Sequence, residues 1–452
     1  MTDAIYDYVG VGVGPFNLSL ACLLHPIQAL KGVFLDKAEG FQWHPGLMFE
    51  EARLQTPFLS DLVTLADPTS PFSVLSYLKE QGRLYSFYIR ENFFLLRNEY
   101  NQYCQWAASK LSNIEYDTHV LNIAYDETAA CYLIQAQSTT HGTPKQYCAK
   151  KIILGTGPLP TVPPCCDGLA GDVIHASDYL FRKDALQRKK SLTVVGSGQS
   201  AAEIVLDLLR NIHQYDYELS WITRSARYFP LEYTKLTLEM TSPEYVDYFY
   251  ALPADQRAKL NRDHAHLAKG INSDTINEIF DLLYAKRMVK PFKINFFTNS
   301  SLEAVTYDAC EQRYDLQFWQ WEMDERYVHP SEGLILATGY AHHAPDYVKG
   351  IRSRIRWTAQ GQYDTHRYYT IDHNNHSIFV QNAEHNTHGF VTPDLGMCCY
   401  RNTHIVRQLL GYAYYPIERR IAFQEFGVPM ARERHDPVAS DWELRCDLKK
   451  WG

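Results

Sequence analysis

The sequence predicts an α/β fold made of two parallel-sheet units, with the second unit inserted into the first. Two observations carry this prediction. A β-rich run, a glycine-rich turn and an apolar-periodic helix follow one another twice, and a buried strand that ends in small residues follows each copy. A chain of 452 residues also exceeds the size of one hydrophobic core, which favours two or three domains.

The composition and charge narrow the class of function. The 44 Lys and Arg residues against 52 Asp and Glu give a net charge of −8 without a basic stripe, so we expect neither nucleic acid nor an anionic membrane as a partner. We expect no membrane span, because every apolar run is shorter than about 18 residues. The N-terminus lacks the basic segment of a signal peptide. Ten cysteines without a C-x-x-C pair indicate reduced thiols and a cytoplasmic protein.

The first glycine turn lies close to the N-terminus. Gly10 permits a tight turn, Gly12 lets a pyrophosphate approach the backbone, and Gly14-Pro15 opens a helix whose first N–H groups are free. Asp36 ends the next strand, where a ribose-binding carboxylate belongs. Strand, turn, helix and acid together predict a dinucleotide site.

The second glycine turn repeats this order at Gly196, Gly198 and Ala201. The strand that follows ends in Arg224, where the first copy ends in an acid. An acid would repel a 2′-phosphate, whereas an arginine would attract it. We therefore predict FAD at the first turn and NADPH at the second. The alternative is that Arg224 is only an exposed cation at the end of a strand.

Two later strands predict how the units are nested. One ends at Gly155-Thr156-Gly157 and is followed by several prolines, which suit a rigid crossing between domains. The other ends at Thr338-Gly339-Tyr340. The predicted fold is thus α/β with two Rossmann-like dinucleotide-binding domains, in which the FAD domain is interrupted by an inserted NADPH domain.

Seven separate segments carry a family resemblance that runs nearly the length of the chain. They are Gly10–Leu18, Phe41–Gly46, Leu54–Leu62, Leu65–Pro68, Gly196–Ala201, Ala337–Tyr340 and Thr387–Gly389. Together they resemble the siderophore N-hydroxylases, that is, the lysine N6- and ornithine N5-monooxygenases and their diamine-acting relatives. The resemblance implies that NADPH reduces FAD, that the reduced flavin captures oxygen as a C4a-hydroperoxide, and that a neutral amine attacks its distal oxygen.

The resemblance also divides the chain. It implies that residues 1–189 form the first part of the FAD-binding domain and residues 190–330 the NADPH-binding domain. Within the latter, a mostly helical segment at about 230–290 would bind substrate. Residues 331–452 would complete the FAD-binding domain and supply a C-terminal segment that contacts flavin and substrate. The family precedent for assembly is a homo-oligomer, either a tetramer or a dimer.

The resemblance and the two turns give a set of expected cofactor contacts. For FAD these are Gly10, Gly12, Gly14, Pro15, Phe16, Asn17, Asp36, Trp43, His44 and Gln55, for NADPH Gly196, Ser197, Gly198, Gln199, Ser200 and Arg224, and near the flavin Thr338, Gly339, His388 and Gly389. Gln55 and Asn272 are candidates for the reacting edge, and no residue acts covalently. Core packing is the alternative for Trp43, and a purely structural role is the alternative for His44. The histidines of the last third lack metal-binding spacing, so no metal is expected.

Departures from the family point to the substrate. The resemblance places a lysine of the ornithine enzymes at Ser60, asparagines at Leu238 and Asn272, and a serine at Gly396; this chain keeps only Asn272. Burying a carboxylate without a cation costs several kcal/mol. We therefore expect the substrate to be a diamine, putrescine or cadaverine. Its O2-dependent hydroxylation would serve hydroxamate siderophore biosynthesis.

Several alternatives stay open. Lys235 could replace the lost cation, which would leave L-lysine or L-ornithine as the substrate, and histamine is a further amine without a carboxylate. The acids Glu232, Glu239 and Asp61 are candidates for the far ammonium of a diamine, and the sequence does not choose among them. In a different class of function, the chain would be an NADPH-dependent flavin reductase that transfers no oxygen.

Overall fold

Two large sheets organise the chain: the first is mixed, with parallel and antiparallel strands, and the second is wholly parallel. The computed structural model describes residues 5–169 and 171–428. Within these residues the strands are β1 (Ile5–Val11), β2 (Gly32–Leu35), β3 (Ile114–Glu115), β4 (His119–Asp126), β5 (Cys131–Gln137), β6 (Pro144–Leu154), β7 (Leu159–Pro160), β8 (Val173–His175), β9 (Ser191–Val195), β10 (Glu218–Ile222), β11 (Ile294–Phe297), β12 (Ser300–Asp308), β13 (Arg313–Gln320), β14 (Glu325–Ser331), β15 (Gly333–Leu336), β16 (Tyr340–Ala341) and β17 (Ile378–Val380).

One α-helix follows each glycine turn directly, and the others are spread along the chain. They are α1 (Pro15–Leu24), α2 (Val74–Glu80), α3 (Leu84–Arg90), α4 (Arg97–Ser109), α5 (Tyr179–Leu186), α6 (Gln199–Tyr215), α7 (Lys235–Leu238), α8 (Pro243–Ala251), α9 (Ala254–Asp263), α10 (Ala265–Lys269), α11 (Ser273–Val289), α12 (His385–His388) and α13 (Cys398–Leu410). Among the described residues, no helix is both long and apolar enough to cross a membrane.

The first sheet confirms the predicted nesting. Its strand order is β3-β2-β1-β6-β5-β4; β1 runs parallel to both β2 and β6, and β5 is antiparallel to β4 and β6. The late strand β17 lies parallel to the end of β6, so the chain returns to the first sheet after it has built the second. Helices α1 and α13 pack together in one apolar cluster through Leu18, Leu20 and Ile405.

The second sheet has the order β11-β10-β9-β15-β8, and all its strands are parallel. Helix α6 packs on it through Ile204 and Leu208, which share an apolar cluster with Leu192 and Val194. A three-stranded antiparallel sheet, β12-β13-β14, adds Leu316 and Phe318 to a separate cluster that includes Ile222 of β10.

Two strands of the second sheet lie outside residues 190–330, the range expected for the inserted unit. Strand β8 precedes residue 190 and β15 follows residue 330, yet both belong to the second sheet. These strands contain three and four residues, which is too short to show a periodic pattern in the sequence. The crossing between the units lies instead at the two-stranded sheet formed by β7 and β16.

A helical region stands between the second sheet and the C-terminal part of the chain. Helices α7 to α11 fall within the segment 230–290 that the sequence predicted to be mostly helical. Tyr245 and Phe249 of α8 pack against Val391 and Met397, which follow α12. The helical region therefore contacts the segment around residues 391–397 directly.

Candidate active site

The first glycine turn forms an open concavity at a helix N-terminus. Gly12 has a φ of +88°, and a Cβ there would overlap the carbonyl oxygen of Gly155 at the end of β6. Gly14 is the N-cap of α1, no side chain caps the helix, and a Cβ on Gly14 would meet no protein atom within 4 Å. The free N–H groups and the positive end of the helix dipole suit a phosphate in this space.

The predicted contacts around this turn lie beside it. Asp36 Oδ2 accepts the Val13 N–H at 2.6 Å, so the acid at the end of β2 touches the turn itself. Asn17 Nδ2 donates to the Gly12 carbonyl at 2.7 Å. The Phe16 ring lies 4.7 Å from the guanidinium carbon of Arg401 on α13. The structure thus brings these three predicted residues together, with Asn17 and Asp36 bracing the turn.

Unsatisfied polar atoms test whether a cofactor fits here. Asn17 Oδ1, Thr56 Oγ1 and the hydroxyls of Tyr116 and Tyr340 are buried and make no hydrogen bond with the described residues. Tyr116 lies near Asp36, and Thr56 follows Gln55 in the chain. Buried polar groups normally have partners. Together with the open, uncapped helix end, these unpartnered atoms fit a polar dinucleotide such as FAD.

The second glycine turn repeats this construction. Gly196 has a φ of +142°, and a Cβ there would overlap the carbonyl oxygen of Ala337 at the end of β15. Gly198 is the N-cap of α6, again without a capping side chain, and a Cβ on it would lie 3.5 Å from the Lys269 carbonyl oxygen. Ser197 Oγ lies 2.9 Å from Ser225 Oγ, which joins the turn to the end of β10.

Arg224 stands beside this second turn with an exposed side chain. Its carbonyl oxygen accepts the Trp321 Nε1–H at 3.1 Å, which fixes the backbone. Its guanidinium makes no hydrogen bond or ion pair within residues 5–169 and 171–428. The next arginine, Arg227, lies over the Phe229 ring at 4.6 Å. A fixed backbone with an uncommitted guanidinium fits a residue that reads a phosphate.

Contacts between the two units bring three predicted residues together. Gln55 Nε2 lies 3.5 Å from Gln199 Oε1 and 3.5 Å from the Gly270 carbonyl oxygen. The same Gln199 oxygen accepts the backbone N–H of Asn272 at 2.8 Å. Residues distant in sequence, one from the first unit and two from the second, therefore share one point at the junction of the units.

A buried ion pair fixes this junction. Arg97 of α4 and Glu203 of α6 form two hydrogen bonds, at 2.7 and 2.9 Å, and their side chains are only 12% and 7% exposed. Arg97 also donates to the Leu47 carbonyl at 2.8 Å, and Glu203 accepts from Gln199 Nε2 at 2.9 Å. Sequence reasoning missed this pair, since neither residue belongs to a recognisable motif.

Trp43 and His44 follow the first unit's second strand. The half-buried Trp43 ring packs on Tyr100 at 5.2 Å and its backbone N–H donates to Asn101, which supports the packing alternative. His44 has a left-handed backbone and lies between Trp43 and Tyr340. His44 is exposed at its surface, yet desolvation by the surrounding protein lowers the pKa of His44 to about 4, and Arg97 adds to this shift. The imidazole is therefore neutral at neutral pH.

The predicted contacts in the last third of the chain divide into two groups. Thr338 Oγ1 donates to the Thr161 carbonyl at 2.5 Å, and the Gly339 carbonyl accepts the Thr161 N–H at 2.9 Å, so both residues hold the crossing between the units. A Cβ on Gly339 would meet open space, which leaves room for a cofactor.

His388 and Gly389 lie deeper than predicted. The His388 ring is buried, with Nδ1 2.9 Å from Thr387 Oγ1 and Nε2 3.0 Å from the Arg367 carbonyl oxygen. Burial lowers the pKa of His388 to about 3. A Cβ on Gly389 would press on the Phe249 ring. The structure therefore favours a structural role for these residues over the predicted cofactor contact, because both ring nitrogens are already used.

The predicted substrate residues are brought together in part. A Cβ on Gly396 would lie 3.4 Å from Ser60 Oγ and 3.0 Å from Asp394 Oδ1, so residues 60 and 396 are neighbours. Asn272 interacts with the Tyr233 side chain, which also lies near Asp394. Leu238 is 42% exposed on α7, and no contact among the described residues joins its side chain to this group.

The cations and acids weighed from the sequence are largely committed elsewhere. Asp61 is buried and accepts N–H bonds from Val63, Thr64 and Val74. Glu239 accepts the N–H groups of Phe423 and Gln424, and Glu232 accepts that of Thr234. Lys235 is exposed on α7. Asp394 and Tyr233 are two further residues that sequence reasoning missed, and only the fold brings them beside Ser60 and Asn272.

Two nested nucleotide-binding units that meet at Gln55 and Gln199 define a flavoprotein oxidoreductase with a second nucleotide cofactor. A model of the family described as L-lysine 6-monooxygenase/L-ornithine 5-monooxygenase matches residues 4–342. The chain is 48% identical to the putrescine N-hydroxylase of Shewanella oneidensis over 438 residues, 97% of this chain and 87% of that protein. The chain belongs to the L-lysine 6-monooxygenase/L-ornithine 5-monooxygenase family.

Two solved structures extend the comparison. The FAD-bound cadaverine monooxygenase of the desferrioxamine pathway of Erwinia amylovora superposes with a TM-score of 0.93 at 52% identity, covering 95% of this chain and all of that one. An ornithine N-hydroxylase of a Kutzneria species, solved with reduced FAD, NADP⁺ and L-ornithine, gives 0.82 at 27% identity over 90% and 99% of the two chains. The predicted enzyme class, a flavin-dependent N-monooxygenase, and the predicted cofactor pair are thereby confirmed.

Proposed function

We propose that the protein uses FAD, NADPH and O2 to hydroxylate one terminal nitrogen of a small diamine, putrescine or cadaverine, in hydroxamate siderophore biosynthesis. The observation that carries the choice of substrate is the space shared by Ser60, Gly396 and Asp394, where the Asp394 carboxylate faces a serine at position 60 instead of a cation. Two similar proteins support it, since one is named a putrescine N-hydroxylase and the other a cadaverine monooxygenase.

The cofactors are assigned to the two glycine turns. The turn at Gly12–Gly14 and the Asp36 carboxylate would hold FAD, because the acid suits a free ribose hydroxyl. The turn at Gly196–Gly198 and Arg224 would hold NADPH, because the guanidinium suits a 2′-phosphate. When bound, FAD supplies the redox chemistry that carries electrons from NADPH to O2 and one oxygen atom to the amine.

The protein's own part is to position the amine and exclude water. An alkylamine is almost entirely protonated in water at neutral pH, so the pocket has to favour the neutral form by desolvation at the reacting nitrogen. Gln55 and Asn272 lie at the junction where Gln199 would hold the nicotinamide side, and we assign the reacting nitrogen to this point. The Arg97–Glu203 pair keeps this point fixed by joining the units.

We further propose that the protein is a homo-oligomer, a dimer or a tetramer. Helix α11 presents Phe280, Tyr284 and Met288 on one face, and these side chains are 69%, 69% and 76% exposed. A contiguous apolar stripe of this kind marks an interaction surface. We also propose a reducing, cytoplasmic setting, since the nine cysteines among the described residues are all unpaired.

The experiment that tests the function is a mass balance. Protein loaded with FAD is given NADPH, air and either putrescine or cadaverine, and the NADPH consumed, the hydroxylamine formed and the hydrogen peroxide formed are measured. The proposal expects most of the NADPH to appear as N-hydroxylated diamine. If every amine tested left NADPH oxidation feeding peroxide alone, the protein would be a flavin reductase or oxidase instead.

A further inference from the structure

Asp394 occupies a distinctive place beside Ser60. Its Oδ1 accepts the Gly396 N–H at 2.6 Å and so caps the short 3-10 turn Leu395–Met397. The point where a Cβ of residue 396 would stand is 3.0 Å from this oxygen and 3.4 Å from Ser60 Oγ. Glycine at position 396 therefore leaves a small space with a carboxylate on one side and a hydroxyl on the other.

The charge of Asp394 lacks a compensating cation of its own. Asp394 forms no ion pair within the described part of the chain, and the nearby Arg401 lies 2.9 Å from Glu384 as a buried pair. Surrounding protein raises the pKa of the Asp394 carboxyl above its usual value, although the Gly396 N–H and Arg401 act against this rise. A carboxylate in such a place is stabilised by a cation that arrives with a ligand.

A second observation marks the same space as a ligand site. The Tyr233 hydroxyl is buried and makes no hydrogen bond of normal geometry, although the Asn272 side chain and Asp394 lie near it. Burial raises the pKa of Tyr233 to about 12, so it stays a neutral donor. An unsatisfied hydroxyl between an amide and a carboxylate fits a polar substrate that runs from one to the other.

The geometry also orients that substrate. The backbone N–H of Asn272 binds Gln199 Oε1, and the same oxygen meets Gln55 at the junction of the units. A series of neighbouring residues thus runs from Gln55 through Gln199 and Asn272 to Tyr233, which lies near Asp394. The carboxylates of Asp61 and Glu239 are occupied by backbone N–H groups, so they do not compete for a cation.

We infer that Asp394 determines substrate specificity by binding the distal ammonium of a diamine while the other nitrogen reacts near Gln55. This inference rests on the proposed function and names the residue behind its choice of substrate. It also explains why position 60 is a serine and not a lysine: a lysine there would pair with Asp394 and fill the ammonium site.

The test compares Asp394→Asn with the unmodified enzyme on two substrates, putrescine and butylamine. Asparagine keeps an oxygen that can accept the Gly396 N–H, so the 3-10 turn is retained while the charge is lost. We expect kcat/KM for putrescine to fall about ten- to a hundredfold, and that for butylamine, which has no distal ammonium, to change by less than about threefold. Reduction of the flavin by NADPH without an amine should be unchanged.

Four further variants sharpen the result. Asp394→Glu keeps the charge and should recover part of the putrescine activity. Ser60→Lys should lower putrescine use as Asp394→Asn does, and combining the two changes should add less than the sum of their separate effects. Asp346→Asn, at an exposed site on the first unit's surface, is the matched control and should change nothing.

The possible failures separate two claims. Loss of activity on putrescine and butylamine by the same factor would reduce Asp394 to a structural residue, and unchanged putrescine use in Asp394→Asn would overturn the inference alone. If the unmodified enzyme hydroxylated no diamine at all, the proposed function would fail and this inference would fall with it.

Discussion

The two glycine turns share one construction and differ at one point. At Gly12 and at Gly196 a positive φ and a backbone oxygen from the neighbouring strand's end leave no room for a side chain, and each turn opens an uncapped helix. After the first, Asp36 accepts a hydrogen bond from the turn, whereas after the second Ser225 fills that place and Arg224 stands exposed. The two turns therefore share the local fold, and under the proposed cofactor assignment the residue after the next strand would select the nucleotide.

The largest effects should come from filling each turn in a place that the protein leaves open. A Cβ on Gly14 meets no protein atom within 4 Å, and one on Gly198 has only the Lys269 oxygen at 3.5 Å, so valine at either position is compatible with folding. Gly14→Val should give colourless protein with flavin affinity reduced about a hundredfold or more, because the side chain occupies the phosphate space.

Gly198→Val is the matched partner of that variant. It should bind flavin normally and be yellow, yet NADPH should reduce its flavin at least about a hundredfold more slowly at equal concentration. Visible absorbance of the purified proteins and anaerobic reduction by NADPH measure both outcomes. An exchange of the two phenotypes would mean that the cofactors are assigned to the wrong units.

A smaller effect is expected at the point where the turns differ. Arg224→Ala removes the guanidinium that faces the predicted 2′-phosphate, and a charge-assisted hydrogen bond is worth roughly 1.5–3 kcal/mol. The KM for NADPH should rise about ten- to a hundredfold, while that for NADH, which lacks the phosphate, should change by less than about twofold. Steady-state kinetics with both nucleotides decide this, and equal changes would show that Arg224 does not read the phosphate.

The difference between local and long-range features explains what the sequence could predict. Glycine turns, flanking strands and the following acid or base lie within a few tens of residues, so the nested α/β fold was predictable, whereas the class of enzyme came from the family resemblance. The limits of the inserted unit were not, because β8 and β15 contain only three and four residues. The motif at Thr387–Gly389 also did not reveal that His388 is buried with both ring nitrogens occupied, because one of these contacts is made by Arg367, which is distant in the sequence.

The substrate site shows the same limit. Ser60, Asn272 and Gly396 could be chosen from the sequence because each stands in a segment shared with relatives, and the structure brings Ser60 and Gly396 side by side. Asp394 and Tyr233 could not be chosen in this way, since only tertiary contacts place them at the same pocket. Leu238 shows the opposite case. The sequence suggested that it lines the pocket, whereas in the structure it is 42% exposed on α7.

The central claim is that the pocket takes an amine without a carboxylate, and two matched pairs of substrates test it most directly. Putrescine and ornithine differ only by the α-carboxylate, as do cadaverine and lysine. The measurement is the ratio of kcat/KM for hydroxylamine formation within each pair. With an acid at position 394 and no cation at position 60, each ratio should favour the diamine by about ten- to a hundredfold or more. Ratios near one, or in favour of ornithine or lysine, would contradict the account.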